Sequence, residues 1–223
     1  NFTCVERGVM AFVFPPHFHA ALPVADSTDF FPVRRVYCVG RNYADHAREM
    51  GALAQAEGRE PPFFFMKPGD TVVGGTGELV VAYPPLTRNL HHEIELVVAL
   101  GAGGANVAVD QAKNLVFGYA VGLDLTRRDI QAQAKEKGHP WDMGKGFDQS
   151  AVCGPIRPAA AVGILAGGRI RLAVNGEVRQ DGEWAIIHRC TGCGIIGTNR
   201  VAGDDEERTL LALALRPIAN PAF

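Results

Sequence analysis

The sequence predicts an α+β fold, built from short strands and few helices. Two observations carry this. First, 26 Gly and 14 Pro punctuate apolar runs of strand length, which favours turns and short strands over long helices. Second, the segments follow one another without regular strand–helix alternation, which argues against a doubly wound sheet. The chain has 223 residues, 47% of them hydrophobic. That suffices for one substantial core, and a second full domain would be cramped.

Residues 1–9 read as an upstream extension, with Met10 a plausible start. Residues 10–32 are rich in Pro and aromatics without periodicity, and read as an irregular arm. Arg35 to Val39 reads as a buried strand ended by Gly40. Arg41 to Met50 reads as a short helix closed by Gly51. Residues 51–61 look like a mobile loop. Phe63 to Met66 is a second buried strand, stopped by Pro68-Gly69. Glu93 to Leu100 is a strand, and Gly103-Gly104 belongs to a turn. Val116 to Leu125 is apolar and β-rich, a further strand. Thr126 to Lys137 reads as a helix, capped by Thr126, with Asp129 as an early acidic partner and Gly138 at its end. Arg169 to Val174, Asn175-Gly176 and Glu177 to Gln180 make a hairpin, because Asn-Gly supplies the positive backbone angles of a two-residue turn. No internal repeat is present.

Composition narrows the function classes. Charged residues make up 21% of the chain, as in a folded protein, and the formal net charge is −2. No broad basic face is implied, so nucleic acid and anionic membrane are poor partners. Cys4, Cys38, Cys153, Cys190 and Cys193 are odd in number and scattered. A reducing, cytoplasmic setting fits them better than a disulfide framework. No apolar run has membrane-spanning length, and no basic stretch followed by an apolar core marks a secretory signal.

Several residues carry chemistry. Glu93 and Glu95 flank Ile94 on the expected strand, so both carboxylates share one face while Ile94 enters the opposite layer. Two like charges that close repel unless a cation lies between them, and a hard divalent ion prefers oxygen. The apolar run Leu96–Leu100 implies partial burial; a solvated strand face is the competing reading. Asp124, at the end of its strand, can close such a site or simply serve a turn. His46 and Glu49 are three apart on a helix and can touch. A carboxylate beside a histidine fixes its tautomer, as a general base needs; without context an ordinary surface pair is the commoner reading. Lys145 lies between Gly144 and Gly146, which let the backbone approach a ligand; an exposed loop lysine is the plain alternative. His188 with Cys190-Thr-Gly-Cys193 lacks a second cysteine pair, which argues against a zinc site. His91 and His92 read as surface residues or as neighbours of a metal site.

These motifs, in order, resemble the fumarylacetoacetate hydrolase family. Cys38-Val-Gly-Arg-Asn-Tyr-Ala-Asp-His46-Ala-Arg-Glu49-Met-Gly51 is similar to its entry motif, and so is Phe64-Phe-Met-Lys67-Pro68. Thr87-Arg-Asn-Leu-His-His-Glu93-Ile-Glu95-Leu resembles its metal-binding strand. Gly118 to Gln131 resembles the segment of the third ligand, and Gly144-Lys145-Gly-Phe-Asp148 the lysine loop. The start Met10 to Pro16 and Pro32-Val-Arg-Arg resemble members acting in aromatic degradation through gentisate. The resemblance implies a mixed β-sandwich roll, a homodimer, and Mg²⁺ or Mn²⁺ on Glu93, Glu95 and Asp124. It implies that His46 with Glu49 activates water, that Lys145 polarises a substrate oxygen, that Gln131 helps hold the substrate, and that Arg41 meets a substrate carboxylate. Residues 41–58 would form a lid. The implied reaction is hydrolysis of the C–C bond of an acylpyruvate, such as fumarylpyruvate, a small diketo acid.

The resemblance covers a catalytic domain of residues 10–183. Residues 184–223 diverge: the expected Gly-Asp segment and Thr-Gly-Thr-Pro loop are not found there. The alternatives are an isomerase or decarboxylase of a related diketo acid or oxaloacetate, and a metal-binding remnant without activity.

Overall fold

The computed structural model describes residues 12–15, 19–40, 63–104, 107, 108, 111–165, 167–185 and 209–214, with residues 63, 183–185 and 209–214 as backbone alone. The expected helix over residues 41–50, and with it Arg41, His46 and Glu49, lies outside the described residues, as do residues 51–61 and the segment from His188 to Cys193.

The fold is organised around strand β7 (Ile94–Leu100), all seven of whose residues are buried. Alternate side chains of a strand point to opposite faces. Val97 and Ala99 enter one apolar cluster with Leu22, Phe31, Val36, Cys38 and Cys153. Ile94, Leu96, Val98 and Leu100 enter another with Val39, Tyr119 and Ile170. A strand covered on both faces reads as a continuous apolar run, as this one does.

One mixed sheet of eight strands contains β7. Along the sheet lie β4 (Phe63–Pro68), β3 (Arg35–Gly40), β14 (Thr209–Ala214), β7, β8 (Val116–Asp124), β10 (Ala151–Cys153) and β5 (Val72–Gly74); β11 (Arg157–Pro158) pairs separately with β8. Strand β14 runs parallel to β3 and antiparallel to β7, and β10 is parallel to β5. The remaining pairs are antiparallel. Short helices α1 (Arg128–Glu136), α2 (Asp142–Lys145) and α3 (Ala159–Val162) complete the α+β arrangement.

Each face of the sheet carries a hairpin. Residues 10–32 are not simply an irregular arm. Strands β1 (Ala21–Pro23) and β2 (Phe30–Pro32) pair within them and bury Leu22 and Phe31 on the first face. Each of these strands is only three residues long, too short for a period to show in the sequence. On the second face, β12 (Gly167–Val174) pairs with β13 (Glu177–Ala185) and contributes Ile170. The turn has φ of 53° at Asn175 and 84° at Gly176, the two positive angles its sequence requires.

Two boundaries differ from expectation. Strand β7 begins at Ile94, with Glu93 just before it. Helix α1 begins at Arg128, because Thr126 and Arg127 pair as a short strand β9 with β6 (Leu90–His91). Thr126 therefore does not cap the helix; its hydroxyl donates to the Asp124 carbonyl at 3.3 Å. Asp129 instead takes the Thr87 hydroxyl at 2.6 Å and the Arg88 N–H at 3.0 Å, which ties the preceding loop to the first helical turn. Gly138, with φ of 64°, ends the helix as expected.

Candidate metal centre

The ends of β7 and β8 build the site. The Asp124 N–H donates to the Glu93 carbonyl at 2.8 Å, and Glu95 pairs with Gly122, so three acids come from adjacent strand ends. One carboxylate oxygen from each of Glu93, Glu95 and Asp124 lies within 4.8 Å of the others. The side chain of Asp124 is 1% exposed and Glu95 is equally buried, whereas the Glu93 side chain is 15% exposed. The site therefore opens on the Glu93 side. On the inner side lies a cavity of about 20 Å³ lined by Cys38, Lys67, Glu95, Val97, Asp124 and Cys153. That is room for one water and not for a substrate.

Three cations face the acids. The Lys145 ammonium donates to Asp124 Oδ2 at 2.6 Å and to Glu93 Oε2 at 2.9 Å. Arg128 donates to Glu93 Oε1 and, at 2.7 Å, to Gln131 Oε1. Lys67 Nζ lies 2.8 Å from Asp124 Oδ1. Lys145 is buried at the end of α2, not an exposed loop lysine; Gly144, against the backbone of Gln131 in α1, is what lets α2 seat so deeply. Its ammonium also sits 4.9 Å from the centre of the Phe65 ring.

The acids ionise differently. Burial opposes charge on Glu93, but the Lys145 ammonium and the Arg128 guanidinium outweigh it and hold that carboxyl down at about 2. Burial, then the neighbouring Asp124 and Glu93, pushes the Glu95 carboxyl well above its usual range. Burial also works against the Lys145 ammonium, yet Asp124, Glu93 and Glu95 reverse this and raise it.

Both Glu95 oxygens are buried without a hydrogen-bond partner among the described residues. Buried carboxylates are ordinarily paired, hydrogen-bonded or bound to a metal. An all-oxygen cluster with orphaned lone pairs is the donor set a hard divalent cation takes. The residues thus fit such an ion.

Of the residues singled out in the sequence, Glu93, Glu95, Asp124, Lys145 and Gln131 come together here. Gln131 is buried on α1, with its carbonyl oxygen engaged by Arg128. His91 Nδ1 accepts from Arg128 Nε at 3.4 Å, and His92 Nδ1 lies 3.3 Å from Gln180 Oε1, so both histidines border the site. Sequence reasoning missed the roles of Lys67, Arg128 and Gln180. Lys67 had a signal, since a lysine inside the apolar run Phe64 to Pro68 must find a partner if that strand is buried. Gln180, which accepts from the Ile94 N–H at 2.9 Å, had none, because the contact spans 86 residues.

The fold has known relatives. Residues 35–187 match the family described as fumarylacetoacetate (FAA) hydrolase C-terminal, and the chain belongs to this family. Residues 165–211 also match an RNHCP domain, which overlaps the end of that match and runs past it. A fumarylpyruvate hydrolase of a Ralstonia species is 48% identical over 123 residues, 54% of this chain and 62% of that one. The mitochondrial oxaloacetate tautomerase FAHD1 of Bos taurus is 42% identical over 151 residues, 67% of this chain and 65% of that one. The chain thus spans less than two thirds of the length of these relatives. The crystal structure of fumarylpyruvate hydrolase from Pseudomonas aeruginosa, in complex with Mn²⁺ and pyruvate, superposes with a TM-score of 0.79 at 42% identity, covering 92% of this chain and 87% of that one. No helix among the described residues is long and apolar enough to cross a membrane.

Proposed function

We propose that this chain is a metal-dependent hydrolase that cleaves the C–C bond of an acylpyruvate, with fumarylpyruvate as the substrate and fumarate and pyruvate as products. The carrying observation is the buried cluster of Glu93, Glu95 and Asp124, with its unpartnered Glu95 oxygens, facing the Lys145 ammonium. Mg²⁺ or Mn²⁺ on these three acids would supply electron withdrawal at the substrate oxygens. Three acids against Lys67, Lys145 and Arg128 leave the described site formally neutral. A loaded site is then net positive, which suits an anionic diketo acid. The chain would act as a homodimer in the cytoplasm.

The residues divide the work as follows. Arg128 holds Glu93 and Gln131 in register. Gln131 and Arg41 orient the substrate. His46 Nε2 or Nδ1, steadied by Glu49, takes a proton from water, whose oxygen attacks the acyl carbonyl carbon. The bond to the adjacent methylene carbon breaks and its electron pair passes into the pyruvate half. Lys145 Nζ donates to the oxygen on which negative charge develops. A proton then returns to the methylene carbon. Lys145 is buried, and burial strengthens its hydrogen bond to that oxygen.

The test is purified protein with Mn²⁺ and fumarylpyruvate. Loss of the diketo-enol absorbance with one pyruvate per turnover is expected, and EDTA should abolish it. His46→Ala should keep Mn²⁺ binding and lose rate by about 100-fold or more. Metal binding without turnover would point to an inactive remnant.

The likeness to an oxaloacetate tautomerase favours one second reading, keto–enol exchange of oxaloacetate. That reaction needs proton transfer at carbon and no attacking water. Enol–keto conversion of oxaloacetate without pyruvate release from fumarylpyruvate would select it.

A further inference from the structure

We infer that Lys67 is a positioning residue that fixes the third metal ligand and Lys145 relative to each other. The inference rests on the metal-dependent reading above. Lys67 lies on β4, opposite Val36 of β3, and is 1% exposed. A fully buried ammonium must find acceptors and counter-charge, and here it has both. Nζ donates to the carbonyl of Leu125 at 3.1 Å and to the carbonyl of Lys145, and it forms an ion pair with Asp124 Oδ1 at 2.8 Å. The Phe147 ring, 5.7 Å from Nζ, covers its remaining side.

These partners belong to different pieces of chain. Asp124 ends β8, Leu125 begins the connection to β9, and Lys145 ends α2. No hydrogen bond described between β8 and α2 backbones joins them directly, and the Lys67 ammonium ties them at one point. Its charge holds Asp124 by Oδ1, an oxygen without a hydrogen-bond partner among the described residues, while Oδ2 takes the Lys145 ammonium. It grips Lys145 by its backbone, which leaves that side chain free to point at the acids. Among the described residues Lys67 bonds or pairs with Asp124, Leu125 and Lys145 and not with Glu93, so it acts through its neighbours.

The charge of Lys67 makes the test sharp. Removing an ammonium beside a ligand should, by charge alone, tighten binding of a cation. Loss of positioning should do the opposite. Lys67→Met keeps much of the apolar stem and removes the donors. With this variant, Mn²⁺ affinity measured by titration calorimetry without substrate should fall about 10-fold or more, as when groups that orient ligands are removed. At saturating Mn²⁺, kcat on fumarylpyruvate should fall about 10-fold or more while KM moves less than about 3-fold. Mn²⁺ affinity at or above wild type, or an unchanged kcat, would overturn the proposal. If Lys67→Met gives no cooperative melt, Lys67→Arg carries the same test, because its planar fork keeps the charge but cannot serve three acceptors from one nitrogen. Failure of both variants to fold would also overturn it, in favour of a lysine that only holds the core. Wild-type protein that binds no Mn²⁺ would sink the metal-dependent reading itself, a result distinct from either.

Discussion

Glu95 is buried beside two other carboxylates. Its carboxyl is raised above its ordinary value of 4.5 by burial and by Asp124 and Glu93. In metal-free protein its stabilising share is therefore complete below 4.5 and lost as pH climbs through the raised value. Glu95→Gln removes that titration. Metal-free wild type and Glu95→Gln should melt together below pH 4.5, and the variant should melt higher as pH rises; a gain of ~1 kcal/mol reads as about 2–4 °C. Thermal melts across pH check this. The same variant should bind Mn²⁺ about 100-fold or more weakly, since affinity follows ligand charge. Glu93 runs the opposite way: held at about 2, it contributes above 4.5 and loses that share as pH falls towards 2. The three acids were legible in the sequence because strand period and apolar flanks are local. The cations that set their charge states were not, since Arg128 and Lys67 reach Glu93 and Asp124 across 35 and 57 positions of chain.

The elements differ in how well the sequence revealed them. Strand β7 and the hairpin β12–β13 were legible from period and turn chemistry. The start of α1 was not, because Thr126 was claimed by a two-residue bridge to β6 that only tertiary contact creates. The β1–β2 pair was hidden because three residues are too few for a period to show. Two glycines test the elements that seat the site. A Cβ on Gly144 would lie 3.1–3.2 Å from the backbone N and Cα of Gln131, so α1 and α2 would have to part. Gly144→Ala should cost about 1–3 kcal/mol and reduce kcat more than Mn²⁺ affinity, since it moves Lys145 and leaves the acids in place. Gly176→Ala, at φ of 84° with open space around it, should cost about 1 kcal/mol by denaturant melt and leave kcat unchanged.

At the scale of the whole molecule, a cation bound to three strand-end acids should couple directly to folding. Mn²⁺ at a hundred times its Kd would add about 2.7 kcal/mol. The melting temperature should rise by about 5–10 °C and fall back with EDTA; a shift that survives in Glu95→Gln would place the ion elsewhere. The sheet holding these acids takes one interior strand from late in the chain. Strand β14 lies between β3 and β7, and its Ala214 stands beside Glu95 in the ladder. During synthesis, then, β7 leaves the ribosome with one edge open and waits more than a hundred residues for its neighbour. Its run Leu96–Leu100 is the kind of uncharged, β-prone edge that seeks other chains. The nascent protein is most vulnerable to aggregation in that interval, so chaperone capture should concentrate on chains stalled between β7 and β14, and faster translation of that stretch should improve recovery of folded protein.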